Sequence, residues 1–329
     1  METEAQSDLC FPQLANLSCR KSSSGLPDNV LVNVALPVVC VLTVLLNLLV
    51  IVSISHFRQL HTPTNLLLLS LSVTDLLVGL LMIVGLLYNQ ASCWFLGESL
   101  CSLFSAMTFI VTTASIGNMV LISVDRYVAI CDPLRYIVKV TVKRIQLGVY
   151  LCWCLSLLCC CIILNDQLTD PGKYNSCYGE CVVTVDDKAG VAELIVTFIL
   201  PLSIIVTLYT RVFVAAVSQA RAMRSHVKCV RLHHSVPLRA KKSELKAART
   251  LGVLILVFLT SFCPYYIFSL TNHSKKMTPL KSYFLYLYSF NSCVNPLIYT
   301  LFYPWFRKAV RQIVTLRIFR SGSSEVNIL

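Results

Sequence analysis

The stretch that decides the fold reads Asn291-Ser-Cys-Val-Asn-Pro-Leu-Ile-Tyr-Thr-Leu-Phe-Tyr-Pro-Trp-Phe306, and it closes the last of seven long apolar segments. Within it, Asn295 and Pro296 interrupt a helix apolar enough to lie in a membrane, and Tyr299 follows one turn later. A proline inside such a helix leaves a backbone carbonyl unpaired, so polar neighbours or water must satisfy it. Because this break is costly in a passive anchor and useful in a helix that moves, the stretch predicts a membrane-embedded switch.

The composition of the whole chain agrees with a membrane protein. Of its 329 residues 56% are hydrophobic and only 13% are charged, which excludes an ordinary soluble domain. Seven windows are long enough to cross a bilayer core of about 30 Å. They lie near residues 30–55, 65–88, 101–124, 147–164, 191–214, 251–271 and 280–302. We therefore expect an all-α bundle of seven transmembrane helices over 29–303, an extracellular N-terminus over 1–28, and an amphipathic eighth helix with a short cytoplasmic tail over 304–329.

The basic residues predict the orientation of this bundle. Together with Arg211 near the end of the fifth span, the segments that share one side of the membrane hold 21 of the 28 lysines and arginines, so they are expected in the cytoplasm and the N-terminus outside. The net charge of +12 then indicates contact with inner-leaflet lipids and a cytosolic partner, and not with nucleic acid. The sequence carries no Walker loop, zinc motif or nucleophile elbow, so we do not expect an enzyme.

Six of the 16 cysteines fall on the predicted outer side. They are Cys10, Cys19, Cys93, Cys101, Cys177 and Cys181. An even number in an oxidising compartment predicts three disulfides, although six cysteines allow 15 pairings. Asn16 and Asn272 begin glycosylation sequons on predicted outer segments.

The tripeptide Asp125-Arg126-Tyr127 ends the third span at the inner face. A buried arginine needs a partner, and both Asp125 and Glu244, at the start of the sixth span, are candidates. A bridge from Arg126 to Glu244 would tie two spans together, and its rupture by outward movement of the sixth span would be a two-state element that a ligand biases. The alternative is an arginine that extends to lipid phosphates.

One residue marks each of the seven spans in order, namely Asn47, Asp75, Arg126, Trp153, Pro201, Pro264 and Pro296. This pattern resembles that of rhodopsin-like (class A) G-protein-coupled receptors over nearly the whole chain. The seventh-span residues Asn291-Ser292, Asn295-Pro296, Tyr299, Tyr303 and Trp305-Phe306 are similar to those of the trace amine-associated receptors, a mostly olfactory branch related to biogenic amine receptors.

The resemblance implies a plasma-membrane receptor, in olfactory cilia, for a small volatile amine. It implies a stimulatory or olfactory-type G protein that raises cAMP as partner, with arrestin and a receptor kinase as further partners. For the cysteines it implies a Cys101–Cys181 bridge, common to the class, and Cys10–Cys177 and Cys19–Cys93 bridges from the branch.

The resemblance also implies roles for polar and aromatic residues deeper in the bundle. An allosteric sodium ion is expected on Asp75, Ser115, Asn291, Ser292 and Asn295; a protonated or water-bonded Asp75 is the alternative. Phe258 and Tyr209 match the aromatic relay between ligand and cytoplasmic face. Tyr209 and Tyr299 are expected to meet Arg126 through water when the sixth span moves outward.

The chain departs from amine receptors at the residue that holds the ligand. Those receptors place an aspartate 18 residues before the arginine of Asp-Arg-Tyr, and this chain has Thr108 there. Glu193, eight residues before Pro201 in the fifth span, is instead an ionisable group within a membrane segment and hence a candidate site. Some fish-type members carry the acid on helix five, which implies a ligand nitrogen held by Glu193. The alternative is a carboxylate that reaches water at the outer interface.

Helical spacing and the resemblance supply the rest of the pocket. Its candidate residues are Thr108, Thr112, Thr197, Phe262, Tyr265, Tyr266, Tyr288 and Ser289. Aromatic faces with few polar atoms suit an alkyl or aryl ammonium. Relatives usually have tryptophan at Phe262 and tyrosine at Ser289, so catecholamines and serotonin are not the expected ligands. Two alternatives remain open here: a receptor of the same fold for a non-amine ligand, and a secondary transporter, for which we find no internal repeat.

Overall fold

The computed structural model describes residues 9–14, 16–21, 30–229, 252–253, 256–268, 279–320 and 322–328. Within these ranges we number eight main helices in chain order. They are α1 Val30–His56, α2 Pro63–Ala91, α3 Glu98–Cys131, α4 Val142–Ile163, α5 Asp187–Leu194 continued by Ile195–Ile199 and Leu200–Cys229, α6 Leu256–Phe268, α7 Pro279–Phe302 and α8 Pro304–Val314. Short helical turns lie in the connections at Pro12–Leu14, Arg58–Leu60, Pro133–Lys139, Asn165–Thr169, Arg317–Phe319 and Ser323–Glu325. Extended pairing within these ranges is limited to two isolated bridges, which confirms the all-α prediction.

Five of the helices, α1 to α5, are long and apolar enough to cross a bilayer, and the described part of α6 is a shorter apolar helix. The first residues of α2 and α5 are set by polar caps. Thr62 accepts a hydrogen bond from the Asn65 amide with Pro63 in the first turn, and Asp186 accepts one from the Ala189 amide. Such caps satisfy amides that have no partner within the helix. They therefore fix where these two helices begin.

The third helix occupies the centre of the bundle, where it contacts α2, α4 and α5. Its contact with α4 depends on Gly117, because a Cβ there would lie 2.4 Å from the Cys152 sulfur. The thiols of Cys152 and Cys160 lie within 3.6 and 3.7 Å of the α3 carbonyls of Ala114 and Ala106, as weak donors. Cys152 and Cys160 therefore serve close packing of α4 against α3.

The break at Pro296 is satisfied by a side chain from another helix. Proline has no N–H, so the carbonyl of Ser292 one turn earlier loses its helical partner. The side-chain amide of Asn47 on α1 has two hydrogens on Nδ2. It donates one to the Ser292 carbonyl at 3.0 Å and the other to the Thr43 carbonyl at 2.9 Å. The proline of α7 is thus held by α1, as the need for a polar neighbour predicts.

The disulfides agree with expectation for one pair and correct it for the other two. Cys101 is joined to Cys181, but Cys10 pairs with Cys93 and Cys19 pairs with Cys177. The predicted pairs Cys10–Cys177 and Cys19–Cys93 were wrong. The reason is backbone pairing: the Cys19 amide donates to the Tyr178 carbonyl at 2.9 Å, which places Cys19 beside Cys177.

The N-terminal segment consequently lies against the outer loops. The Tyr178 amide donates to the Leu17 carbonyl at 2.8 Å, and the Trp94 amide donates to the Gly179 carbonyl at 2.8 Å. Asn16, the first predicted glycosylation residue, is exposed on this segment. Asn272 lies outside the described residues.

Replacing Cys101 by serine is expected to reduce surface expression strongly, because a bridge closing so long a loop contributes about 2–4 kcal/mol. The measurement is antibody labelling of an N-terminal tag on intact cells, normalised to total receptor. Cys154→Ser, an exposed free thiol on α4, is the control that should traffic normally. Equal surface levels for the two variants would contradict a structural role for the Cys101–Cys181 bridge.

The helix Pro304–Val314 is consistent with the predicted amphipathic eighth helix. It buries Trp305, Phe306 and Ala309 and leaves Arg307 and Lys308 exposed. Its buried face packs against α1 and α7. Such a helix suits the boundary between headgroups and acyl chains.

Candidate functional site

The predicted acid Glu193 lies in α5 directly before a π-helical turn, Ile195–Ile199, and is half-buried. Pro201 explains this turn, because it lacks the N–H that the Thr197 carbonyl would otherwise accept. The Leu200 amide instead donates to the Ile195 carbonyl, five residues back. Turns of this kind are frequent at functional sites.

One turn beyond Glu193, Thr197 links α5 to α6. Its hydroxyl donates to the Glu193 carbonyl at 2.6 Å and accepts a hydrogen bond from the Tyr266 hydroxyl at 2.9 Å. Thr197 and Tyr266 are buried. The two hydrogen bonds of Thr197 therefore connect the backbone of α5 at Glu193 to the side chain of Tyr266 on α6.

An aromatic cluster surrounds this link. The rings of Phe198 and Tyr266 stack at 4.4 Å, and Tyr288 on α7 lies 4.0 Å from Phe262 and 5.7 Å from Tyr265. Through the two hydrogen bonds of Thr197, the turn of α5 that carries Glu193 is joined to this cluster. The structure thus places the turn that carries the acid beside the predicted aromatic residues.

The buried hydroxyl of Tyr288 has no hydrogen bond of good geometry within the described part of the chain, and Thr112 is its polar neighbour. Thr108 is half-buried, and its hydroxyl donates to the Phe104 carbonyl of its own helix at 2.8 Å. Ser289 is also half-buried. Since a threonine carries no charge, α3 offers nothing at Thr108 to neutralise an ammonium.

Deeper in the bundle, Asp75 is fully buried, and no lysine or arginine of the described ranges pairs with it. It accepts hydrogen bonds from Asn295 Nδ2 at 2.8 Å and from Ser115 Oγ at 3.4 Å. The side-chain oxygens of Asn291 and Asn295 are buried without a partner among these residues. One carboxylate with unpaired amide oxygens nearby is a donor set that suits a small hard cation.

Near the C-terminal end of α3, Asp125 is the centre of a polar network. It accepts from Arg126 Nε at 2.9 Å, from the Thr64 hydroxyl at 3.1 Å and from the Tyr136 hydroxyl at 2.9 Å. Arg126 also donates to Thr64 at 2.6 Å, and Tyr127 is half-buried. The partner of Arg126 in this structure is therefore Asp125; Glu244, the other candidate, lies outside the described residues.

Comparison with known proteins identifies the family. Residues 46–299 match the model of the seven-transmembrane receptors of the rhodopsin family. The chain is 35% identical to trace amine-associated receptor 13c of Danio rerio, over 98% of this chain and 96% of that protein. It is 34% identical to trace amine-associated receptor 4 of Rattus norvegicus, over 97% and 94%. The chain belongs to the trace amine-associated receptor family.

As a member of this family, the protein is a multi-pass plasma-membrane receptor and not an enzyme. Its partners are a G protein and a small-molecule ligand. Trace amine-associated receptor 1 of Macaca mulatta is 31% identical over 96% of each chain, so similarity at this level extends across several receptors of the family.

Below the pocket residues, α6 carries two aromatic rings in contact. Phe258 stacks on Phe262 at 4.2 Å. Further along, the Tyr209 hydroxyl of α5 lies against Gly252, where an added Cβ would be 2.0 Å from that oxygen. The backbone of Tyr299 lies in α7, and its side chain is outside what the structure describes.

Several features of the site could not be found by motif. The sequence predicts no role for Thr64 and Tyr136, which complete the Asp125 network from α2 and from the helix Pro133–Lys139. The short helix Pro133–Lys139 also projects a large apolar surface: Leu134 is 94% exposed, with Ile137 and Val138 also exposed. Apolar side chains this exposed mark an interaction surface.

Proposed function

We propose that this receptor binds a small amine whose ammonium group pairs with Glu193 on α5, and that binding raises cAMP through a stimulatory G protein. The observation that supports it is the position of Glu193 one turn before Thr197, whose hydroxyl joins the Glu193 carbonyl to the hydroxyl of Tyr266, while Thr108 on α3 carries no charge. The names of its relatives, trace amine-associated receptors, favour the same ligand class.

Pairing explains both affinity and selectivity. An ammonium about 4 Å from a carboxylate gains about 4 kcal/mol at an effective dielectric near 20. Contact with tyrosine rings adds about 0.5–2 kcal/mol through cation–π attraction. A neutral analogue of the same shape forfeits both terms, so the charge decides which ligands activate.

In this proposal the N-terminus lies outside the cell and α8 lies in the cytoplasm. The receptor detects a volatile amine as an odorant in sensory cilia. Arrestin and a receptor kinase bind the receptor after its activation. The exposed face of Pro133–Lys139, adjacent to Asp125, is the apolar surface that the G protein covers.

The test is a cAMP reporter screen of primary, secondary, tertiary and di-amines in cells that express the receptor. Amine-dependent cAMP, absent from cells that lack the receptor, supports the proposal. Surface-expressed receptor silent to every amine, but activated by a neutral or acidic compound, would overturn the amine assignment. Amine uptake into proteoliposomes would instead favour the transporter.

Movement of α6 is the step that links ligand to G protein. Gly252→Ala places a methyl group where the Tyr209 hydroxyl lies, so α5 and α6 must separate or the ring must move. Overpacking costs about 1–3 kcal/mol. If outward movement of α6 relieves about 1 kcal/mol of this packing cost, the ratio of active to inactive receptor, and with it basal activity, rises roughly fivefold. The measurement is ligand-independent cAMP at matched surface expression.

Gly190→Ala is the matched control, because an added Cβ there meets nothing within 4 Å. Unchanged basal activity in both variants would show that the contact between Tyr209 and Gly252 does not restrain α6.

We also propose that Asp75, Ser115, Asn291, Ser292 and Asn295 hold a sodium ion in the inactive receptor. Asp75 would supply the charge and the unpaired amide oxygens the neutral ligands. Because sodium would stabilise the inactive state, it would lower agonist affinity.

Asp75→Asn is expected to remove the effect of sodium on agonist affinity. The measurement is agonist binding in sodium chloride and in potassium chloride at equal ionic strength. Wild-type affinity should fall in sodium while that of the variant stays constant. A salt dependence that survives the substitution would place the ion elsewhere.

A further inference from the structure

The chain after α8 folds back onto the end of α1 and the segment that joins α1 to α2. Leu316 and Gly322 have left-handed φ angles of 55° and 75°, which turn the backbone after α8. Ile328 is only 1% exposed, and it belongs to the same buried apolar cluster as Phe57 and Leu60. A residue at the far end of the sequence is thus part of the core.

The side chain of Gln59 holds this tail by both of its amide atoms. Its Oε1 accepts a hydrogen bond from the Ile328 amide at 3.2 Å, and its Nε2 donates to the Glu325 carbonyl at 3.3 Å. Arg58 pairs with Glu325 at 3.5 Å, although both side chains are exposed and such a pair contributes little. We call residues Ser323–Ile328, docked on His56–Leu60, the tail clasp.

Ser323 lies at the first contact of the tail clasp and is 8% exposed. Its hydroxyl donates to the Ile318 carbonyl at 2.6 Å. Because a hydroxyl has one hydrogen, the contact with His56 Nε2 at 3.0 Å requires the imidazole to donate. Both functions of the Ser323 oxygen are therefore used, and little space remains around it.

We propose that Ser323 is a phosphorylation site and that its modification opens the tail clasp. Arg320 stands three residues before Ser323 and Arg317 six before, a pattern that suits a kinase with an acidic substrate groove. The inference needs the cytoplasmic placement of the tail that the proposed function includes, and it is independent of the ligand.

The chemistry is transfer of the γ-phosphoryl group of ATP to Ser323 Oγ. The new O–P bond replaces the bond from the γ-phosphorus to the bridging oxygen, ADP leaves, and the hydroxyl proton passes to a carboxylate base of the kinase. The product has lost the donor hydrogen that Ser323 gave to Ile318. It carries about −1.5 to −2 charge on three oxygens that need water or cations. The docked tail has no space for the phosphate oxygens, and the hydrogen bond from Ser323 to the Ile318 carbonyl can no longer form.

Because Ser323 is buried, the kinase reaches it only when the tail is released. The rate of Ser323 phosphorylation therefore depends on how often the tail clasp opens. Ile328→Asp removes the apolar anchor and should open the tail clasp. Val326→Asp adds the same charge at an exposed position and is the matched control.

The experiment uses full-length purified receptor in nanodiscs, the catalytic subunit of a kinase selective for basic motifs, ATP, and peptide mass spectrometry. We expect Ser323 to be phosphorylated at least about fivefold faster in Ile328→Asp than in Val326→Asp, a ratio equivalent to about 1 kcal/mol of docking. Equal rates, or no phosphate on Ser323 in either variant, would overturn the proposal.

A second readout tests release in the wild type. Hydrogen exchange of peptides covering residues 322–328 is compared before and after phosphorylation, with Ser323→Ala treated identically. We expect faster exchange only where Ser323 carries phosphate. Retained protection after stoichiometric phosphorylation would show that the phosphate is accommodated, for example by Arg58, and would contradict opening.

Discussion

Glu193→Gln is expected to shift the amine concentration needed for half-maximal cAMP upward by well over tenfold. Glutamine keeps the size and polarity of the side chain and removes only the charge. Truncating one partner of a close charge pair costs about 2–5 kcal/mol, and each 1.4 kcal/mol is about a factor of ten. The measurement is a full concentration–response curve for each activating amine at matched surface expression.

Asp187→Asn is the matched control, because it removes the same charge from the exposed first turn of α5. It should change potency little. If the two variants lose potency equally, Glu193 acts only through its contribution to the negative electrostatic potential around the pocket, and not by pairing with the ligand ammonium. Unchanged potency in Glu193→Gln alone would make Glu193 an interfacial carboxylate and direct attention to the outer-loop acids.

Arg126→Ala is expected to abolish G-protein activation while agonist binding stays within about threefold of wild type. Arg126 is held by Asp125 and Thr64 at the inner end of α3, 18 residues from Thr108. At 1.5 Å per residue that is about 27 Å from the pocket. The substitution therefore removes the switch without touching the ligand.

Nucleotide exchange on the G protein and agonist binding are measured on the same membranes. Lys143→Ala, which replaces an exposed lysine in the first turn of α4, controls for loss of positive charge and should still signal. Preserved signalling with lost binding in Arg126→Ala would contradict the assignment of this residue.

Much of the fold followed from sequence because the bilayer imposes strict demands. Apolar windows of membrane length had to be helices, and Pro296 had to find a polar partner, which proved to be Asn47. Glu193 stood out because ionisable groups are rare in such segments, and the structure links its backbone through Thr197 to Tyr266. These inferences needed only local spacing and the chemistry of one residue.

What the sequence could not supply depends on contacts between distant segments. The pairing of Cys10 and Cys19 is set by the backbone hydrogen bonds of Leu17 and Cys19 with Tyr178, and these have no motif. The π-helical turn of α5 is one of several ways to accommodate Pro201. Burial of Ile328 depends on a loop near the other end of the chain, so hydropathy alone assigns it to a free tail.

The most direct test of the central claim is the affinity of the purified receptor for an activating amine and for the neutral alcohol of the same carbon skeleton, in wild type and in Glu193→Gln. We expect the substitution to weaken the amine by more than about tenfold and to leave the alcohol nearly unchanged, because only the amine loses a charge partner. Equal losses for amine and alcohol, or no loss for the amine, would contradict pairing of the ligand ammonium with Glu193.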